Sequence, residues 1–241
     1  MIVLAVVVTA GLAIALVPSR LIRALLVPLF PDVIFCGDGR RRELALTFDD
    51  GPTASAGLWN PGSVELLAVL EELDLPATFF LIGEHVQRDR SGFVSAAVAA
   101  GHSLANHLER DGLTALWPSC ALEEQLHRTE RTLRRGAAPQ DITLRWFRPG
   151  GGWFHAGMLR TIRAHGYRLV LGTIWPWDTF HPPLALMRWF VLANAHPGGI
   201  VVLHDRPDTL AATLATLRSV VPVLRQRGYR FVSLGDLLQR S

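Results

Sequence analysis

From residue 43 onward the chain alternates short apolar runs with amphipathic stretches, and this alternation limits the fold more than any other feature. Strands are expected at 44–48, 77–82, 102–106, 145–148, 168–174, 199–204 and 229–232. Helices are expected at 62–73, 91–100, 120–135, 156–166, 184–195, 209–227 and 234–240. Leu66, Leu67, Leu70 and Leu73 fall on one helical face, as do Leu122, Leu126, Thr129 and Leu133. Gly101 and Gly136 stand where helix C-caps belong. Seven strands alternating with helices imply an α/β fold with a parallel sheet, most simply closed as a seven-stranded (β/α) barrel. A length of 241 residues suits one such domain.

Chemistry in such barrels gathers at the C-terminal ends of the strands. Five of the expected strand ends carry polar candidates: Asp49 and Asp50 after the first, His107 after the third, Arg148 at the fourth, Asp178 after the fifth and His204 at the sixth. The first lies in Thr47-Phe48-Asp49-Asp50-Gly51-Pro52. Alone, this hexapeptide reads equally well as an Asx-turn, because Asp and Gly are common where a chain reverses. Neighbouring side chains at a strand end diverge, so the two carboxylates are able to do different jobs. One can hold a metal while the other takes a proton.

The charge pattern argues against nucleic acid as a partner. All 24 basic residues are Arg, against 21 acidic ones, and apart from Arg40–Arg42 and Arg134-Arg135 they are scattered without a basic stripe. Cys36 and Cys120 form no metal-binding spacing; two buried free thiols are expected in preference to a disulfide. Residues 1–17 contain no charged side chain, and Leu21 to Phe35 is again mostly apolar. A transmembrane helix needs roughly 17–25 residues, so residues 1–36 are read as a membrane-associated segment and 43–240 as the main domain. A cleaved signal, giving a secreted or periplasmic protein, is the competing reading; Ala13-Ile14-Ala15 would serve as its cleavage site, although a basic leader is missing, and a buried core helix ranks third because the run carries no polar face. Arg20, Arg23 and Arg40–Arg42 on the C-terminal side favour a cytoplasmic domain without fixing the orientation.

With these residues in hand, 43–236 resembles the polysaccharide deacetylases, carbohydrate esterases built on the NodB homology domain. The family's first motif, TFDDGP, is present letter for letter at 47–52. The resemblance implies a distorted seven-stranded barrel and metal-dependent removal of N-acetyl or O-acetyl groups from sugars. It casts Asp49 as general base and Asp50 as metal ligand. The second motif, which carries two His ligands four residues apart, appears as Gly101-His102-Ser103-Leu104-Ala105-Asn106-His107, with Asp111 in the second ligand position. If the segment is helical, that spacing puts His107 and Asp111 on one face. Asp111 then either completes the metal site or caps a turn. Zinc is the expected ion, and two carboxylates would also admit manganese, cobalt or magnesium.

The third motif appears as Arg148-Pro149-Gly150-Gly151-Gly152-Trp153. By resemblance Arg148 holds Asp49 ionised, and the backbone N–H of Gly151 faces the developing oxyanion. The fourth is reduced to Trp175-Pro176-Trp177-Asp178, in which Asp178 would orient His204 and raise its pKa. Trp153, Trp175 and Trp177 are candidates for a sugar platform or an acyl-pocket wall, with core packing as the alternative. The fifth motif, Val202-Leu203-His204-Asp205, supplies His204 as general acid. The implied substrate is a chitin oligomer, peptidoglycan or another N-acetylated glycan. Two rivals stand beside it: an amidohydrolase acting on a lipid-linked sugar or small N-acyl compound, and a carbohydrate-binding protein without activity.

Overall fold

A computed structural model describes residues 18–52, 62–112, 114 and 117–239. Eight strands form one parallel sheet: β1 Val33–Ile34, β2 Glu43–Asp49, β3 Ala77–Leu81, β4 Ser103–Asn106, β5 Trp146–Phe147, β6 Arg168–Val170, β7 Gly199–His204 and β8 Arg230–Phe231. Their lateral order is β1-β6-β5-β4-β3-β2-β7, and β8 pairs with the first residues of β2, ahead of the point where β3 begins. The seven expected strands correspond to β2 through β8, and they form the parallel barrel expected for them.

The barrel is closed by an irregular seam. Residues 168–174 were expected to run as one strand, but β6 ends at Val170 and the backbone turns at Gly172, where φ is +107°. It resumes at Ile174, which bridges to Val201 of β7. A Cβ at residue 172 would lie 2.7 Å from Val202 Cγ2 and 3.1 Å from the Ile200 carbonyl oxygen. Glycine is therefore required both by the left-handed φ and by the close approach of β7. β1 lies along β6 at this seam, with Val33 opposite Leu169 and Ile34 opposite Val170.

Strand alternation sorts the core. Leu44, Leu46 and Phe48 of β2 face outward into the layer shared with the helices, while Ala45 joins Phe80, Ala105, Val170 and Ile200 in the interior cluster. The helices are α1 Gly62–Glu72, α2 Gly83–Arg88, α3 Phe93–Ala99, α4 Ser119–Ala137, α5 Ala156–Ala164, α6 Leu184–Asn194, α7 Leu210–Gln226 and α8 Leu234–Gln239. α4 buries Leu122, Leu126, Thr129, Leu133 and Ala137, one apolar stripe at helical spacing. α8 places Leu234 and Leu237 against the interior cluster, and Leu237 lies beside Glu43 and Gly198 at the start of β2 and β7. This plug fills the N-terminal end of the barrel. The inward row of β2 continues from Ala45 through Thr47 to Asp49, so its polar members reach the opposite, C-terminal end.

Of the segment read as membrane-associated, residues 18–36 are described. Residues 18–29 form short helical turns (Pro18–Leu21, a π-helical Ile22–Leu26, and Val27–Leu29), and Ile22, Leu26 and Val27 pack on the core. Ser19 Oγ donates to Asn194 Oδ1 of α6 at 2.9 Å, and Val33, Ile34 and Phe35 are buried. Part of the apolar character of 18–36 thus serves the fold of the domain. Among the described residues no helix is long and apolar enough to cross a membrane, and the uncharged stretch 1–17 lies outside them. Both cysteines are free, but Cys120 is exposed on the first turn of α4, not buried as expected.

Candidate active site

Asp49, at the end of β2, and His204, at the end of β7, are register partners on adjacent parallel strands. Arg148, just beyond β5, reaches Asp49 across the interior. Its Nη1 lies 2.5 Å from Asp49 Oδ1 and 3.0 Å from Thr47 Oγ1, its Nε donates to the Val170 carbonyl at 2.9 Å, and its guanidinium lies 4.0 Å from the centre of the Phe80 ring. Both partners are almost wholly buried. The guanidinium fixes the direction of the carboxylate.

The next residue turns away. Asp50 has φ +70°, a left-handed conformation that Asp tolerates better than most side chains. Its Oδ1 faces His107 Nε2 at 3.3 Å. His107 Nδ1 donates to the Arg148 carbonyl at 2.7 Å, which leaves Nε2 as the nitrogen turned to Asp50. Burial pushes the Asp50 pKa up, but the hydrogen bond and charge of His107, with His204 and Arg206, bring it down to about 2. Burial lowers the His107 pKa, and the hydrogen bond to Asp50 with the charges of Asp49 and Asp50 outweighs it and raises the value.

His204 sits on the other side of Asp49. Its Nδ1 donates to Asp178 Oδ1 at 2.9 Å, and its backbone N–H donates to Asp178 Oδ2 at 2.7 Å. Burial alone would depress the imidazole pKa; the Asp178 hydrogen bond and charge, then Asp49 and Asp50, raise it to about 9. The ring is therefore protonated near neutral pH.

An imidazole nitrogen and a carboxylate that face one another, with the imidazole tautomer fixed by a carbonyl, are donors that fit zinc and similar divalent ions. Asp50 and His107 would hold such an ion. Among the described residues no third His, Cys, Asp or Glu completes a cluster with them. The helical segment assumed for 107–111 is absent: Leu108 has φ +66°, which breaks any helix there. Asp111 is exposed, and its Oδ1 accepts the N–H of Gly112 at 2.7 Å.

The glycine loop differs in detail from expectation. Gly150 owes its missing Cβ to the chain itself, since a Cβ there would lie 2.4 Å from the Gly112 carbonyl oxygen. Gly151, at φ +68°, and Trp153 are exposed beyond it. Trp175 and Trp177 stack with ring centres 4.6 Å apart on the loop that carries Asp178, and Trp175 is open to solvent. Three neighbours of the site were given no role in the sequence reading. His85 Nδ1 donates to the Asp50 carbonyl at 2.7 Å, Arg206 Nη1 lies 3.7 Å from Asp50 Oδ2, and Asp205 is buried where a Cβ on Gly51 would come within 2.7 Å of its Oδ2. His85 lies in α2, six residues long and too short to show a period; only the adjacency of Asp205 and Arg206 to His204 offered a signal.

The C-terminal end of this parallel barrel joins a carboxylate–arginine pair, a carboxylate–imidazole pair and a second imidazole bonded to a carboxylate, side chains of the kind hydrolases use. Residues 37–170 match the family model for polysaccharide deacetylase. The chain is 32% identical over 207 residues to a peptidoglycan-N-acetylglucosamine deacetylase of Bacillus cereus, covering 81% of this chain and 88% of that one. It is 36% identical over 206 residues to a chitooligosaccharide deacetylase of Rhizobium leguminosarum bv. trifolii, covering 80% and 90%. The solved structure of the Bc1960 peptidoglycan N-acetylglucosamine deacetylase superposes with a TM-score of 0.78 at 26% identity, covering 87% of this chain and 94% of that one. The chain belongs to the polysaccharide deacetylase family. It is a carbohydrate deacetylase, a hydrolase of acetyl groups on sugars.

Proposed function

We propose that this enzyme removes the N-acetyl group from N-acetylglucosamine units of a glycan, with Asp49 as general base and His204 as general acid. The observation that carries the assignment is the register pairing of Asp49 with His204, each held by its own buried partner, Arg148 and Asp178. A carboxylate and an imidazole held side by side on neighbouring strands, the imidazole pKa raised by its carboxylate partner, give amide hydrolysis a proton acceptor and a proton donor. Asp49, aimed by its contact with Arg148, takes a proton from the attacking water. His204, kept cationic by Asp178, passes its Nε2 proton to the leaving amine, which departs poorly without it. A divalent ion at Asp50 and His107 would supply Lewis-acid polarisation of the acyl oxygen and acidify water. Zinc is the first choice, with manganese, cobalt or magnesium as alternatives, and Asp111 contributes less than His107. The Gly151 N–H is assigned to the oxyanion. The exposed Trp153 and the Trp175–Trp177 stack are assigned to sugar contact.

The relatives act on peptidoglycan N-acetylglucosamine and on chitooligosaccharides, and the shared chemistry is the N-acetylglucosamine residue. Acetate release from chitooligosaccharides and from peptidoglycan fragments, with each metal in turn and Asp49→Asn as control, tests the assignment. Bound glycan without acetate release under every metal would favour the non-catalytic reading. We also assign the uncharged stretch 1–17 to membrane attachment, which brings a lipid-linked N-acetylated sugar within the substrate range.

A further inference from the structure

We propose that the folded domain itself lies on an anionic lipid bilayer, through the exposed faces of α6 and of the helical stretch 18–29. The proposal rests on the membrane attachment assigned to residues 1–17, and extends it from that segment to a surface of the domain. The two elements are neighbours: the turn Pro18–Leu21 packs on α6, and Ser19 is buried in its hydrogen bond to Asn194. The uncharged segment therefore joins the domain beside α6, and lipid that receives it would meet this side.

Both elements turn large apolar side chains to solvent. On the N-terminal stretch Leu25 is 55% and Leu29 67% exposed; on α6 Leu186 is 42% and Trp189 45% exposed. Leu186, Trp189 and Ala193 share one helical face, and the core is met by Met187, Phe190, Val191 and Asn194. Apolar surface of this kind calls for a partner.

Charge identifies the partner. No Asp or Glu occurs in residues 1–31 or in 179–204, and the only Arg residues in those ranges are Arg20, Arg23 and Arg188, all exposed. An apolar face with a basic border and a Trp suits the headgroup region of an anionic bilayer. A second copy of the chain is the weaker occupant, because apposing the two elements brings Arg20, Arg23 and Arg188 together and neither element carries an acid of its own.

The test uses the full chain with vesicles of phosphatidylglycerol and phosphatidylcholine, some carrying brominated acyl chains that quench nearby tryptophan. The expected result is quenching that Trp189→Phe largely removes, while co-sedimentation with vesicles persists through residues 1–17. Leu25→Glu combined with Leu186→Glu should remove the same component, and far-ultraviolet circular dichroism of each variant checks that it folds. Co-sedimentation with equal quenching in wild type and Trp189→Phe overturns the proposal and leaves the attachment standing. Absence of co-sedimentation overturns both. A detergent-solubilised dimer whose mass falls to that of a monomer in Trp189→Glu overturns it in favour of a second copy.

Discussion

His204 and Asp178 are joined twice: the imidazole Nδ1 at 2.9 Å from one carboxylate oxygen, and the backbone N–H at 2.7 Å from the other. The second bond fixes the carboxylate, so that the first can fix the ring. The pair ties the loop after the barrel seam to the end of β7, and it sets the charge of the proposed acid.

Asp178→Asn should therefore move the pH profile. Although burial favours the neutral ring, Asp178 and the other carboxylates lift its pKa to about 9 from an ordinary 6.5. The acid form persists until pH rises through about 9, which sets the basic limb of kcat. Without the carboxylate charge the limb moves to lower pH, and kcat falls at neutral pH. The sign for stability follows by linkage: a raised pKa contributes stability fully present below the unfolded value and lost as pH rises through the folded one. Wild type should lose urea resistance between pH 6.5 and about 9, and Asp178→Asn should lose less there. An unchanged kinetic profile in Asp178→Asn would remove Asp178 from the mechanism.

Substitution of the proposed base or acid separates chemistry from folding. Asp49→Asn and His204→Ala should each lower kcat by about 10²–10⁴, with acetate release as the readout. Urea unfolding confirms that each variant folds. Turnover close to wild type in either variant would sink the assignment.

Arg148 is the more fragile member of its pair. Its guanidinium touches Asp49, Thr47, the Val170 carbonyl and the face of Phe80. Arg148→Met leaves Asp49 buried without its cation, a change expected to cost about 3–5 kcal/mol in urea unfolding. Arg148→Lys should not restore stability, because an ammonium lacks the fork that makes these contacts. In the double variant with Asp49→Asn the loss should shrink, since no unpaired charge is left behind. Strictly additive losses would show that the two side chains do not depend on each other.

Metal affinity distinguishes His107 from Asp111. His107→Ala removes one of the two facing donors and should abolish zinc retention on dialysis. Asp111→Asn should weaken it far less, because Asp111 is exposed and spends one oxygen on the Gly112 N–H. The neighbouring carboxylates raise the His107 pKa against the effect of burial, and the proton must leave before Nε2 ligates. Binding should therefore release a proton and weaken as pH falls, which calorimetry in buffers of different ionisation enthalpy measures directly. Zinc lost equally from both variants would make Asp111 a full ligand.

Much of this was legible because strand alternation and strand ends are local properties. Asp49, His107, Arg148, Asp178 and His204 each follow an apolar run, and the parallel barrel brings all five to one end. The failures share a different cause: pairing between distant segments. β1 is two residues long and earns its place only by lying against β6. Its apolar residues had therefore read as part of a membrane segment. The spacing of His107 and Asp111 suggested a helical face, but Leu108 takes a left-handed turn imposed by its surroundings, with its own side chain fully buried. His85 reaches Asp50 from a helix with no periodic signal.

Gly172→Ala tests whether the seam positions the acid. The new methyl would meet Val202 at 2.7 Å and force an alanine to φ +107°. Strain of this kind costs on the order of 1–3 kcal/mol. Val202 lies two residues before His204 on the same inward row, and Ile174, four residues before Asp178, is bridged to Val201. Relief of the clash would thus shift the Asp178 loop and the end of β7 relative to each other. The expected variant folds with a lower urea midpoint, and its kcat profile has the basic limb displaced downward, as in Asp178→Asn. If stability falls while the limb stays at the wild-type pH, the seam holds the barrel closed without setting the charge of His204.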